Sequence, residues 1–145
     1  MTLKTTTALL AAISFLATPI GAQAQNTTNQ TAPAVAAVNL AALQAACTSD
    51  RAYDCEDAAV AAMKAYLLQG PTPAQINEQI GLIAAMLVTA YNADRNLFRI
   101  RFAIAKLQNY SSDENQKIAL AKISDLMRDR QLVTLNANAS ALSPS

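Results

Sequence analysis

Between Val35 and Val133 apolar residues recur every three or four positions, interrupted by short polar breaks, and this pattern predicts five helices and no strand. The densest stretch is Ile76–Tyr91. On a helix of 3.6 residues per turn, Ile76, Ile80, Ile83, Leu87 and Tyr91 share one face, and Leu82, Met86 and Ala90 cover a second. A helix apolar on two faces requires neighbours on both, so this one is expected to lie at the centre of the fold, buried all round. Its apolar run is shorter than the ~20 residues a membrane span needs, which favours a helical bundle over a transmembrane segment.

The other four helices follow from punctuation as much as from periodicity. Val35, Val38, Leu40 and Leu43, set among alanines, predict a first helix ending near Cys47. A second runs from Asp54, where Asp54, Glu56 and Asp57 complement the helix dipole, to Gln69, ahead of Gly70-Pro71, and should bury Val60, Met63 and Leu67. Thr72-Pro73-Ala74-Gln75 opens the central helix with an N-cap, a proline at the first position and a capping box. Asn92-Ala93-Asp94-Arg95-Asn96 should break it, although no Gly or Pro enforces the break and one long bent helix is the alternative. Leu97, Ile100, Ile104 and Leu107 carry the fourth helix. The fifth should start at the Ser111–Glu114 capping box and bury Ala119, Ile123, Leu126 and Met127. The fold class expected is therefore all-α: a single bundle of about five antiparallel helices over residues 35–133.

Both termini fall outside this pattern. Residues 1–24 have the layout of a secretory signal peptide, with Lys4 in a short positive region, an apolar stretch from Ala8 to Ile20, and Ala22-Gln23-Ala24 as the cleavage site. Residues 25–34 and 134–145 are polar, aperiodic and uncharged, and are expected to be a disordered leader and tail. Roughly 120 residues remain after cleavage, one domain's worth. Lys4 is the only charge removed, so the mature chain carries equal numbers of basic and acidic residues and offers nothing to nucleic acid.

Export decides how the two cysteines are read. Cys47 and Cys55 stand at the end of one helix and the start of the next, and in an oxidising compartment a disulfide between them would staple the first hairpin. The chain has no histidine, which excludes Ser-His-Asp and Cys-His nucleophiles and leaves no cofactor or metal set of ordinary composition. Asp54, Glu56 and Asp57 lack the spacing of a calcium loop. Glu78, the one carboxylate of the central helix, suits the helix dipole better than acid catalysis.

One surface has a functional composition. Arg95, Phe98, Arg99, Arg101, Phe102 and Lys106 make the fourth helix basic with interleaved aromatics, suited to a protein partner of the cell envelope or to peripheral contact with an anionic membrane. The expectation is a periplasmic or secreted, non-catalytic helical protein acting through protein–protein interaction or envelope support. The alternative is a lipid or apolar small molecule bound between helices, with Met63, Met86 and Met127 as lining and Phe98 and Phe102 at the mouth.

Overall fold

The computed structural model describes residues 35–49 and 54–134, all within one compact unit. Several helix ends have a clear local cause. α1 (Leu40–Cys47) begins where the Asn39 side chain accepts from the Ala42 N–H at 3.0 Å. α2 (Asp54–Leu67) ends in a tight turn at Gly70, whose φ of 72° is one that a side chain would oppose. α3 (Pro73–Ala93) has the capping box complete, with Thr72 accepting from the Gln75 N–H and the Gln75 side chain accepting from the Thr72 N–H at 2.8 Å. Asp94 ends α3 and caps a short 3₁₀ turn, Arg95–Leu97, before α4 (Ile100–Leu107). The break between the third and fourth helices therefore exists, and the single long helix does not.

Two boundaries differ from the sequence expectation. The first helix starts at Leu40 rather than Val35, because Asn39 caps it and the preceding backbone is bonded to side chains instead. α5 (Glu114–Arg128) is capped by Asp113, whose Oδ1 accepts from the Asn115 and Gln116 N–H groups, and not by Ser111. It stops at Arg128. Arg130 takes a left-handed conformation with φ of 55°, the Gln131 N–H donates to Leu126 O at 2.9 Å, and the Arg130 N–H donates to Met127 O at 3.1 Å. That pair of bonds is a Schellman closure, made here on a residue other than glycine.

The five helices pack as one bundle, with no strand among the described residues. α4 lies against α2, α3 and α5, and α1 packs on α2 and α3. Ile80, Ile83, Leu87 and Tyr91 of α3 are fully buried with Met63, Ile104, Leu107, Leu120, Ile123 and Met127. At ~25 cal/mol per Å² of apolar area removed from water, such side chains supply the main driving force.

The expected faces shift slightly. On α2 the inward set is Cys55, Ala59, Met63 and Tyr66, leaving Val60 and Leu67 half-buried. On α5 Gln116 and Leu120 are fully buried, whereas Leu126 is only partly so. α3 is not buried all round: Leu82 is 45% exposed and Met86 half-buried, because its neighbours leave the strip through Glu78, Leu82 and Thr89 uncovered. Among the described residues no helix is long and apolar enough to cross a membrane.

Gln116 is accommodated in the core by a closed polar network. Its Nε2 donates to Asn77 O at 2.9 Å, and the Ser111 hydroxyl lies 2.7 Å from Gln116 Oε1 and 3.2 Å from Asn77 Oδ1. Asn77 Oδ1 also accepts from the Ser112 N–H at 3.1 Å. Ser111, Asn77 and Gln116 thereby fasten the α4–α5 loop to the first turns of α3, and burying them is tolerable because their polar atoms are partnered.

Candidate functional site

Cys47 and Cys55 are bonded to each other, with Cα atoms 4.1 Å apart and both side chains buried. The bridge joins the end of α1 to the first turn of α2, as their spacing predicts, and it belongs to an oxidising, non-cytoplasmic compartment. The stretch read as a signal peptide (1–24), the leader 25–34 and all of the tail 134–145 except Thr134 lie outside the described residues.

At the other end of this hairpin the chain before α1 is held by amide side chains. Gln69 forms a two-point clamp on Ala36: the Ala36 N–H donates to Oε1 at 2.8 Å, and Nε2 donates to Ala36 O at 3.2 Å. Gln79, reaching from α3, accepts from the Val38 N–H at 3.3 Å. The strap Val35–Asn39 is thus fixed above α2 without α1 extending beneath it.

The space left between them is a groove of about 340 Å³. Ala58, Ala62 and Ala65, at i, i+4 and i+7 on α2, form its floor; Ala42 and Leu43 of α1 close one side, and Ala36, Ala37 and Val38 form the rim. Tyr66, Gln69 and Asn39 supply side-chain polar atoms, and none of the described residues that line it is charged. Burial raises the Tyr66 phenol above its ordinary value, reinforced by the negative charge of Glu78, so the ring is neutral at physiological pH and donates to Gln75 O.

The basic residues of the fourth helix are drawn into separate local contacts. Lys106 pairs with Glu56 of α2 at 3.3 Å. The Arg101 guanidinium lies 4.2 Å from the Phe102 ring centre, and its Nε is buried without a hydrogen-bond partner. Phe98 is half-buried under Arg130, at 5.2 Å. Arg99 lies with Asp94, Asn96 and the disulfide around a second, more polar pocket of about 280 Å³, while Arg95 is exposed on the 3₁₀ turn.

The remaining candidates also have clear positions. Glu78 is exposed on α3, and Glu56 is committed to Lys106. Among the described residues no three His, Cys, Asp or Glu side chains converge as metal ligands. Met63 and Met127 are fully buried core residues, Met86 is half-buried, and none of the three lines either pocket; nor do Phe98 and Phe102.

The groove residues were present in the sequence as alanines suited to close helix approach. What hid the groove was the expected start of the first helix at Val35, which would have laid helix along that floor. Asn39, followed by a helix-forming run, was the available signal. No family model, curated protein or solved structure matches the chain.

Proposed function

We propose that the protein is an exported, non-catalytic helical module of the periplasm or extracellular space that binds another protein of the cell envelope in the groove between the Val35–Asn39 strap, α1 and α2. The observation that carries this reading is the groove itself: an open, charge-free floor of alanines, held apart by a disulfide at one end and the Gln69 clamp at the other. Apolar surface that the fold leaves uncovered between two fixed walls gains free energy when a partner removes it from water. The signal-like leader and the disulfide support an extracytoplasmic location. The absence of histidine throughout the sequence supports a role in binding over nucleophilic catalysis.

The test is site-directed crosslinking from position 65 in intact envelopes. A discrete adduct is expected with the native chain and should disappear when Ala62→Glu places a charge in the floor. An adduct pattern indifferent to Ala62→Glu would rule the groove out. A second reading, an apolar small molecule in the same place, is favoured by the groove volume, which falls within the ~300–1,000 Å³ of ordinary ligand sites. Native mass spectrometry separates the two, since a small ligand adds its mass to the purified protein.

A further inference from the structure

We infer that the occupant of the groove is an extended peptide of small, uncharged residues, held by main-chain pairing to Ala37; the inference rests on the groove being the binding site proposed above. The strap presents its backbone unevenly. Gln69 takes both the N–H and the C=O of Ala36, Gln79 takes the N–H of Val38, and the C=O of Asn39 accepts from the Leu43 N–H of α1. Between them Ala37 is exposed on the groove rim, and among the described residues nothing pairs with its N–H or C=O.

One residue offering both its donor and its acceptor is the unit that an added strand pairs with. A helix docking in the same groove has already spent its backbone groups internally and cannot use Ala37, so this residue discriminates between the two conformations. The lining adds the side-chain preference. The alanine floor is shallow, which suits Ala, Ser, Thr or Val, and the absence of a charged partner disfavours Asp, Glu, Lys and Arg because their desolvation would be uncompensated. The clamps on either side of Ala37 hold the strap in place beforehand, so little ordering entropy is lost on docking.

The probe is a phage-displayed library of random decapeptides selected on the oxidised protein and counter-selected on Ala65→Glu, a change at a floor position of α2 that is exposed and therefore compatible with folding. Enriched sequences should lack charge and alternate small apolar with polar residues. Replacing Ala37 by its α-hydroxy analogue, which removes the N–H and leaves the Ala36 carbonyl a weaker, ester acceptor for Gln69, should weaken them by roughly fivefold, the effect of one lost hydrogen bond. Enriched peptides with the pattern of an amphipathic helix, or peptides bound equally by the α-hydroxy variant but lost with Ala65→Glu, would overturn the pairing and leave the groove as the site. No enrichment over Ala65→Glu would overturn both.

Discussion

The two straps that bracket the helices solve the same problem with different depth. Before α1, Gln69 grips the N–H and C=O of Ala36; after α5, Asn92 grips those of Val133, its Nδ2 donating to Val133 O at 2.8 Å and its Oδ1 accepting from the N–H at 3.2 Å. The C-terminal strap also inserts a side chain, Val133, which is 2% exposed, and the Tyr91 hydroxyl donates to Gln131 O at 3.0 Å. The N-terminal strap inserts nothing so deep: Val35 and Val38 are only half-buried, and Ala36 and Ala37 are exposed. An amide clamp alone holds a strap at arm's length, whereas a clamp with an apolar plug seals it to the core. The space under the first strap is the groove; under the second, α3 is covered.

The largest way to break this asymmetry is to remove the staple on the open side. Replacing Cys47 and Cys55 together by serine should cost about 2–3 kcal/mol by the chain-entropy argument. Hydrogen exchange should then accelerate over residues 35–47 well before it does at Val133. Equal acceleration at both straps would show that they are not independently held.

Asn92→Ala should cost about 1–2 kcal/mol in denaturant unfolding, because both backbone groups of Val133 lose their partner beside a buried side chain. Gln69→Ala removes the same number of bonds from an exposed residue, where water replaces them, and about 0.5 kcal/mol is expected. If the two substitutions cost the same, burial is not what distinguishes the straps.

Alkaline titration gives the finest comparison. Burial raises the Tyr91 phenol, against the opposing effect of Arg95 and Arg130, and burial with Glu78 raises that of Tyr66. A group whose folded pKa lies above its unfolded value contributes stability that is complete below the unfolded pKa, about 10 for tyrosine, and is lost as pH rises through the folded one. The thermal midpoint should therefore be insensitive to these groups below about pH 9 and fall above 10. Tyr91→Phe and Tyr66→Phe should each flatten part of that fall.

Much of this fold was legible because its signals are local. The Thr72 capping box, Gly70, the Asp94 break and the Cys47–Cys55 spacing each act within a few residues, where side-chain chemistry and backbone geometry are directly coupled. The Arg130 closure shows the limit of that logic, since a left-handed arginine has no composition signature. Contacts between distant elements are another: nothing in the run of the fourth helix shows that Glu56 pairs with Lys106 or that Arg130 lies over Phe98.

The sequence by itself determined that the chain is helical, where most helices start and stop, and that the first hairpin is covalently closed, since caps, breakers and a short disulfide loop are settled among near neighbours. Tertiary structure alone decided which faces are covered. Leu82 is exposed while Gln116 is buried because Asn77 and Ser111, distant in the chain or held in a loop, complete the hydrogen bonds of one, and none of the described helices covers the other. The groove is of the same kind. Alanines on α2 permit a neighbour, and only the placement of the strap by Gln69 and Gln79 leaves that position open.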